Sequence, residues 1–387
     1  MFTTKFLSFI LLHCALLSLV SAQEPASFNP WEYRKTFVTC PAVDRSGATP
    51  VPTNLRLAYL DINPTASKTL VLVHGWPSLW TTYRNQITEF SKEYRIIVPE
   101  HRGYGDSQHP VDLESSNTMY DFVDDVLCVL DNAGVDTGVC VGNDFGAQLC
   151  WEAGRSRPDR FVGVFNIGIP YVSATLGFST NRALAALNPF FTYQVYLDEM
   201  EKPAAKELDS DIRASIRSCA RTAETAPPAE FLTKNTTFLG PWKQYLKENN
   251  LTEIPASGIM SKTVEDYMVD SYSKQGFYNT FNGYQLGNRN LTYQFEIGQG
   301  NYTLPQPTFT LFMTKDPVSD WEEFAELIGS ASFLSNHFNQ TIETAHWPHE
   351  EKPVEFNAIL REWLGNVTFS QTPGNGSAPG NGSAVRC

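Results

Sequence analysis

The sequence predicts an α/β protein with a mostly parallel central sheet, flanking helices and an inserted, mainly helical cap. Three observations support this fold class. Short apolar runs typical of buried parallel strands alternate with amphipathic helices. Polar or glycine-rich segments follow several of these runs, at the sheet edge where such proteins place their sites. The alternation stops in residues 171–307, which are rich in aromatic and charged side chains, and it resumes at residue 308.

The first part of the core, residues 23–170, contains six candidate strands and three candidate helices. The first two strands are expected to form an antiparallel hairpin or meander, and the later alternation predicts a parallel sheet with right-handed crossovers. In chain order the elements are strand Thr36 to Val43, strand Leu55 to Ile62, strand Thr69 to Val73, helix Thr81 to Ser91, strand Tyr94 to Pro99, a helix from Asn117 to about Gly134, strand Val139 to Val141, helix Ala147 to Arg155 and strand Phe161 to Ile167.

The second part of the core, residues 308–365, is expected to complete the sheet. Thr308 to Met313 has the pattern of a strand, a short strand is expected near Thr341 to Ala345, and a closing helix begins at about Pro353, where proline suits a first turn. The tail after it, residues 366–387, repeats Pro-Gly-Asn-Gly-Ser-Ala from Pro373. That composition is too polar to fold, so a disordered, glycan-bearing extension is expected.

A sharp corner between a strand and a helix presents Asp144. Gly142 and Gly146 bracket it, in a pattern that resembles the G-x-S-x-G corner from which a nucleophilic serine is lifted above a sheet. A carboxylate that attacks a carbonyl gives an anhydride, whereas its attack on a saturated carbon gives an ester that water can cleave. The substitution of carboxylate for hydroxyl therefore favours epoxides and alkyl halides over esters and amides. The alternative is that Asp144 only caps its helix.

The amino terminus and the sequons indicate export. Residues 1–22 carry one lysine, an apolar run and a small-residue end, which predict a secretory signal with Gln23 as the mature start. No later segment is long and apolar enough to span a membrane. Eight N-glycosylation sequons support a secreted protein. Their acceptors are Asn235, Asn250, Asn290, Asn301, Asn339, Asn366, Asn375 and Asn381.

The net charge argues against nucleic acid and anionic membranes as partners. The formal charge is −13 for the whole chain. It becomes −14 once the signal and its single charge, Lys5, are removed. An acidic protein is a poor ligand for either polyanion.

Seven cysteines are present, one of them in the predicted signal. Cys128, Cys140 and Cys150 occupy apolar positions and are expected to be buried thiols. Cys40, Cys219 and Cys387 remain, and the sequence leaves any disulfide pairing open.

Three residues in the order nucleophile, acid and histidine follow predicted strands of the sheet. Asp144 would attack, His346 would deprotonate water, and Asp316 would orient the imidazole and stabilise its cation. The alternatives are a structural histidine at 346 and a turn residue at 316. His349 lacks further ligands at suitable spacing, so no metal and no cofactor is expected.

The segment His74-Gly75-Trp76-Pro77 is the candidate oxyanion loop. The backbone N–H groups of Trp76 and Phe145 would stabilise the negative charge that forms when water attacks the ester. Proline has no N–H, which makes Trp76 the better donor of the loop. A plain β-turn is the alternative.

Taken together, four motifs resemble the soluble, cytosolic-type epoxide hydrolases of the α/β-hydrolase superfamily. They are His-Gly-x-Pro at 74–77, Arg-Gly-Tyr-Gly-Asp-Ser at 102–107, the aspartate corner, and Ala-His-Trp at 345–347 followed by Glu-Lys-Pro at 351–353. The resemblance covers about residues 30–365. It implies the α/β-hydrolase fold, hydrolysis of an apolar epoxide to a vicinal diol and no cofactor.

The family uses two cap tyrosines to bind and protonate the epoxide oxygen. The segment Phe-Thr-Tyr-Gln-Val-Tyr at 191–196 resembles the one that carries the first, and Asn-Gly-Tyr at 282–284 resembles the second. The resemblance therefore implies Tyr193 and Tyr284, and neutral phenols suit protonation of an alkoxide. Packing of either ring within the cap is the alternative. An apolar substrate pocket is expected from His74, Pro77, Phe190, Phe191, Phe281 and Trp347, together with Trp76.

Three positions depart from the family pattern. Phe145 replaces a tryptophan, Asn143 replaces a histidine, and Ala345 replaces a glycine. Without an indole N–H at 145, a haloalkane dehalogenase with the same nucleophile is a weaker alternative. A non-catalytic extracellular binding protein of the same fold is another. The physiological epoxide and the oligomeric state are open.

Overall fold

The structure is a computed structural model, and it describes residues 28–369 of the 387-residue chain. The predicted signal, the acceptors Asn375 and Asn381, residue Cys387 and nearly all of the predicted tail lie outside the described residues. The strands of the described range are β1 (Thr36–Asp44), β2 (Val51–Ile62), β3 (Thr69–Val73), β4 (Arg95–Pro99), β5 (Gly138–Asn143), β6 (Phe161–Ile167), β7 (Leu304–Met313) and β8 (Leu334–Ile342).

These strands form one eight-stranded sheet in the order β1-β2-β4-β3-β5-β6-β7-β8. The β1–β2 and β2–β4 pairs are antiparallel, and every later pair from β4 to β8 is parallel. The predicted fold class and the antiparallel start are therefore confirmed. The central strands β3 and β5 are buried along their whole length, as expected for strands covered on both faces.

The helices supply the two outer layers and the cap. Within residues 28–369, every helix is too short or too polar to traverse a lipid bilayer. The α-helices are α1 (Arg84–Phe90), α2 (Met119–Ala133), α3 (Phe145–Ser156), α4 (Asn181–Leu187), α5 (Thr192–Glu199), α6 (Glu201–Asp209), α7 (Ile212–Cys219), α8 (Gly240–Glu248), α9 (Lys262–Gln275), α10 (Leu286–Gln299), α11 (Trp321–Leu327), α12 (Pro348–Glu351) and α13 (Pro353–Leu364).

The cap lies between β6 and β7 and contains α4 to α10. Short 3-10 segments connect some of these helices, including Pro189–Phe191 and Tyr278–Tyr284. Its aromatic side chains share one buried cluster with residues of the core, among them Trp76 and Trp80. The cap therefore packs over the carboxyl ends of the parallel strands through apolar contacts.

Local sequence signals set the ends of α2. The hydroxyl of Thr118 accepts a hydrogen bond from the Asp121 N–H, and the Asp121 carboxylate accepts one from the Thr118 N–H, which forms a capping box. Gly134 ends the helix in the left-handed conformation at φ 63°, which glycine adopts without a steric penalty.

Several boundaries differ from the sequence-based expectation. The helix expected at 81–91 begins as a 3-10 turn, Trp80–Tyr83, and becomes α-helical only at Arg84. Helix α3 begins directly after Asp144, two residues before the expected start. Strand β7 begins at Leu304 instead of Thr308, and β8 begins at Leu334 instead of near Thr341.

The expectation that Cys128, Cys140 and Cys150 are free buried thiols is wrong. Cys40 on β1 is joined to Cys128 on α2, and Cys140 on β5 is joined to Cys150 on α3. In both pairs a helix packs on the sheet and brings its cysteine to a strand. Among the described residues, Cys219 is the one free cysteine.

Candidate active site

Asp144 stands at the corner between β5 and α3 in a backbone conformation that is unusual for an aspartate. Its φ and ψ are 55° and −122°, a combination with a steric cost for residues other than glycine. The flanking glycines allow the corner to close. A Cβ atom on Gly146 would lie 2.0 Å from the Val73 carbonyl oxygen, and one on Gly142 would lie 2.2 Å from the Gly146 carbonyl oxygen. The sequence at 142–146 thus permits a turn that lifts the carboxylate off the sheet.

The two oxygens of the Asp144 carboxylate have different partners. Oδ1 accepts a hydrogen bond from the Trp76 backbone N–H at 2.9 Å, and Oδ2 lies 3.4 Å from Nε2 of His346. The Phe145 N–H belongs to the first turn of α3, where an amide has no acceptor within its own helix. One oxygen is therefore held by a backbone donor, while the other faces the imidazole.

Asp316 holds the opposite side of the imidazole ring. Its Oδ2 lies 2.8 Å from Nδ1 of His346 and also accepts a hydrogen bond from the Trp321 indole N–H at 2.8 Å. Oδ1 accepts a further bond from the Val318 N–H at 2.9 Å. The carboxylate is fully buried and has partners on both oxygens, so it fixes the ring with Nε2 directed at Asp144.

The imidazole is cationic in the free protein. Burial opposes its charge, but Asp316 and Asp144 outweigh burial and raise the pKa of His346 to about 10. The loop after β8 that carries the ring is held by the Asn143 amide, which donates to the His346 carbonyl at 3.3 Å. A protonated histidine between two carboxylates is the resting arrangement of the site.

The cap brings Tyr193 and Tyr284 together. Their ring centroids are 5.6 Å apart at an interplanar angle of 73°. Both rings contact Trp76, at 6.4 Å and 5.5 Å respectively. Burial and the Asp144 charge raise the pKa of Tyr193, while burial, Tyr193 and Asp144 raise the pKa of Tyr284. Both phenols are therefore neutral hydrogen-bond donors within electrostatic range of the carboxylate.

Trp76 joins the core to the cap. Its backbone N–H donates a hydrogen bond to Oδ1 of Asp144, while its indole N–H donates one to the Thr280 hydroxyl at 3.0 Å. The Phe281 ring lies 6.2 Å from the Trp76 ring, and the Phe238 ring lies 5.4 Å from it. The carboxylate and the phenols thus meet in an aromatic environment that surrounds this tryptophan.

Three further predicted pocket residues, Pro77, Trp347 and Phe191, lie beside residues of the site. Pro77 follows Trp76 through a cis peptide bond, and the Trp347 ring lies against His346 at 4.9 Å. Phe191 is buried against Trp321, whose indole binds Asp316.

Two predicted pocket residues lie apart from the phenols. His74, the first residue of the candidate oxyanion loop, is fully buried, and its ring lies 4.2 Å from His101 and 4.9 Å from Tyr104. Phe190 is 37% exposed, and among the described residues no ring contact joins it to the Trp76 cluster. His349, rejected as a metal ligand, has its Nε2 2.7 Å from the Thr82 hydroxyl inside the core.

Sequence reasoning missed several residues that surround the site. Thr280, Phe238 and Trp321 contact predicted site residues directly. The Cys219 thiol is close enough to Asp144 for that charge to raise its pKa, after the larger effect of burial. The cap sequence has no periodicity that would place Thr280, Phe238 or Cys219. Trp321 is the first residue of α11 and reaches Asp316 across the loop between β7 and α11, which no sequence spacing indicates.

Comparisons with known proteins agree with this architecture. A family model described as alpha/beta hydrolase fold matches residues 68–353, more than half of the chain. Among solved structures, epoxide hydrolase A from Mycobacterium thermoresistibile superposes with a TM-score of 0.68 at 21% identity, covering 86% of this chain and 100% of that one. An epoxide hydrolase from an endophytic Streptomyces superposes with a TM-score of 0.67 at 20% identity, covering 85% and 96%. At this identity the likeness shows a shared fold.

Curated relatives are similarly distant in sequence. Bifunctional epoxide hydrolase 2 of Mus musculus is 26% identical over 345 residues, which cover 88% of this chain and 57% of the mouse protein. The chain therefore spans little more than half the length of that relative. Epoxide hydrolase A of Mycobacterium tuberculosis is 24% identical over 318 residues, which cover 81% of this chain and 96% of the relative.

Proposed function

The chain belongs to the α/β-hydrolase fold family, and on that premise we propose that it hydrolyses an apolar epoxide to a vicinal diol through an ester on Asp144. One observation carries the proposal. A carboxylate at the nucleophile corner has one oxygen on a backbone N–H and the other beside His346. Two neutral phenols of the cap lie within electrostatic range of it. The names of the relatives support the same substrate class.

The first step is opening of the strained ring. Oδ2 of Asp144 attacks one ring carbon from the side opposite the ring oxygen, and the carbon–oxygen bond breaks with its electron pair going to the oxygen. Tyr193 and Tyr284 donate hydrogen bonds to that oxygen, and one of them transfers its proton. The products are a hydroxyalkyl ester on Asp144 and one phenolate, which retains the negative charge.

The second step is hydrolysis of the ester. His346 takes a proton from water, and the resulting hydroxide adds to the carboxyl carbon of Asp144. Oδ1 then carries the negative charge, which the N–H groups of Trp76 and Phe145 stabilise. Collapse of this intermediate breaks the bond between the carboxyl carbon and Oδ2. The proton of the new carboxyl group passes to the departing alkoxide, so that the diol leaves and the carboxylate is regenerated. The proton that His346 gives up before it acts as a base restores the phenol from the phenolate, and the proton that it then takes from water returns it to its cationic resting form.

The charge of Asp144 gives the two steps their order. In the free protein His346 is protonated, because the two carboxylates raise its pKa to about 10. Ester formation removes the Asp144 charge and with it one of the groups that holds the proton on the imidazole. Neutral imidazole, which can deprotonate water, therefore forms more readily after the ester is in place.

The test is to trap the ester on Asp144. The protein is incubated with styrene oxide, quenched in acid, and digested, and the mass of the peptide containing Asp144 is measured. Asp144→Asn should abolish the adduct, and His346→Gln should let it accumulate to about one per protein. An intact His346→Gln protein that consumes no epoxide and forms no adduct would overturn the proposal.

Product assays with styrene oxide and with 1-bromobutane separate the alternatives. A haloalkane dehalogenase would release bromide from 1-bromobutane, but the Trp76 indole N–H is already bound to Thr280 and residue 145 has no indole. A non-catalytic binding protein would consume neither compound, and Asp144→Asn would leave its ligand binding unchanged. Diol formation from the epoxide without halide release supports the proposal.

We also propose that the protein is a secreted glycoprotein. Two disulfides among the described residues suit an oxidising compartment. The six sequon acceptors within residues 28–369 all belong to exposed residues, namely Asn235, Asn250, Asn290, Asn301, Asn339 and Asn366. Expression in a eukaryotic secretory host, followed by glycosidase treatment, tests this proposal by the loss of mass.

A further inference from the structure

The two phenols that would bind the epoxide oxygen come from different segments of the cap. Tyr193 lies on α5, and Tyr284 ends the 3-10 segment Tyr278–Tyr284. Their ring centroids are 5.6 Å apart. Both hydroxyls have to reach one oxygen atom, so the spacing of the two segments is a requirement of the ring-opening step.

Asn181 lies behind the phenols and forms hydrogen bonds to both α5 and the segment that carries Tyr284. This residue begins α4 and is only 1% exposed. Its amide nitrogen donates to the Tyr284 carbonyl oxygen at 2.7 Å and to Oδ2 of Asp198 on α5 at 2.8 Å. Oδ1 of Asp198 accepts from the Leu286 N–H at 3.0 Å. The Gln285 side-chain amide also donates to the Leu197 carbonyl oxygen on α5 at 3.0 Å. Tyr284 and the two residues after it are therefore bound to α5 by three polar bridges.

Arg289 on α10 completes this arrangement. Its Nη1 donates to Oδ1 of Asn181, and the same nitrogen lies 3.4 Å from Oε1 of Gln194 on α5. Burial lowers the pKa of Arg289 from its usual value, and Coulomb attraction to Asp198 and to the ionised forms of Tyr193 and Tyr284 offsets part of that effect. The guanidinium is thus a partly buried positive charge close to the phenols, on the side held by Asn181.

We propose that Arg289 and Asn181 are positioning residues for ring opening, with Asn181 fixing the spacing of the two phenols and Arg289 placing a positive charge behind them. The inference rests on the proposed function. During ring opening, negative charge leaves Asp144 and appears on the epoxide oxygen and the phenol that protonates it. A fixed positive charge near the phenols stabilises that charge distribution more than the starting one. During ester hydrolysis the charge develops at Oδ1 of Asp144 instead, so the two residues act mainly on the first step.

The chain offers a matched control for the loss of an arginine. Arg182 follows Asn181 on α4, and its side chain is 66% exposed in an ion pair with Glu199. An exposed pair of this kind contributes little to stability. Arg182→Met removes a cap guanidinium without touching the contacts behind the phenols.

The experiment measures the two steps separately with styrene oxide. Ring opening is the single-turnover rate at which the Asp144 adduct forms in a His346→Gln background, and hydrolysis is the decay rate of the adduct in protein with His346 intact. General acid catalysis typically accelerates a reaction by about 10²- to 10⁴-fold. Because Arg289 would act through the phenols that serve as the acids, we expect Arg289→Met to lose part of this effect and to slow ring opening roughly tenfold or more. Adduct decay should change less than about twofold, and Arg289→Lys should recover most of the ring-opening rate.

The possible results distinguish failure of this inference from failure of the proposed function. If Arg289→Met does not fold, Arg289→Gln removes the charge and keeps a donor for Asn181, and it should show the same slow ring opening. Ring opening at the control rate, an equal loss in both steps, or a lysine variant as slow as methionine would each overturn the inference. Absence of any adduct in the parent His346→Gln protein would instead mean that the proposed function is wrong.

Discussion

The negative charge of Asp144 has two roles at the scale of single residues. It is the nucleophile of the proposed reaction, and in the free protein it is one of the two carboxylates that keep His346 protonated. A base held in its protonated form cannot deprotonate water. In the proposed reaction, the site is therefore ready for attack on carbon before it is ready for hydrolysis.

This arrangement predicts the effect of Asp144→Asn on the imidazole. The pKa of His346, about 10 in the parent protein, should fall because one of the two negative charges is lost. Proton NMR titration of the His346 ring, assigned by comparison with His346→Gln, measures the change. An unchanged pKa would mean that Asp316 alone holds the proton.

The same shift predicts how stability depends on pH. A histidine whose pKa is raised on folding contributes stability that is fully present below its unfolded value, about 6.5, and is lost as pH rises through its folded value. For His346 the loss should run from pH 6.5 to about 10. The free energy of unfolding of Asp144→Asn, measured by urea denaturation across this range, should decline less steeply than that of the parent.

The placement of Asp144, Asp316 and His346 at one edge of the sheet could be predicted from the sequence because it depends on local signals. A glycine-bracketed aspartate, an aspartate after β7 and a histidine after β8 follow the order of their strands, and parallel strands bring such residues to one edge. Thr280, Phe238 and Cys219 could not be predicted in this way. They reach the site through the fold of the cap, whose contacts join residues far apart in a sequence without periodicity.

At the scale of elements, the corner between β5 and α3 packs tightly against the cap segment that carries Tyr284. A Cβ atom on Gly283 would lie 1.9 Å from the Phe145 ring. That ring is itself held by Phe122 at 5.1 Å and His101 at 6.1 Å. Glycine at 283 is what lets the segment of Tyr284 and the corner of Asp144 approach each other.

Gly283→Ala should therefore impair activity by displacing the segment next to Tyr284. Overpacking of this kind typically costs about 1–3 kcal/mol in stability, and we expect a lower rate of diol formation with a lower melting temperature. Gly298→Ala on α10 is the matched control, because its Cβ would meet nothing within 4 Å and alanine favours a helix. Equal activity of the two variants would contradict this account of the contact.

The elements that sequence reasoning placed badly share a physical cause. Strand β7 contains Pro305 and Pro307, which lack the N–H that a ladder uses, and its pairing with β8 is irregular between Leu304 and Pro307. Strand β8 is exposed along most of its length, so it has no apolar alternation to detect. Buried strands such as β3 and β6 were predicted to the residue, because burial on both faces leaves a continuous apolar run.

At the scale of the whole molecule, disulfides tie helices to the sheet. The Cys140–Cys150 bond encloses the corner that carries Asp144, and the Cys40–Cys128 bond joins residues 88 positions apart. Cross-links over long separations restrict the unfolded chain most in the chain-entropy account. The sequence could not reveal these pairs, because each depends on which helix packs over which strand.

The longer cross-link predicts a loss of stability on its removal. Replacing Cys40 and Cys128 by serine should lower the free energy of unfolding by about 2–4 kcal/mol. Guanidinium denaturation under non-reducing conditions measures the change, and Cys219→Ser serves as the control because Cys219 forms no disulfide. A double variant as stable as the control would mean that the cross-link contributes nothing to stability.

Strand β8 is the last strand of the sheet, and its outer side has no neighbouring strand within residues 28–369. Such a margin offers unpaired amide and carbonyl groups to any extended chain that approaches it, which is a route to fibrous self-association. The acceptor Asn339 lies in the middle of this strand, in an exposed position. A hydrated oligosaccharide there would keep neighbouring copies of the protein apart by steric exclusion. It would therefore limit self-association at high protein concentration.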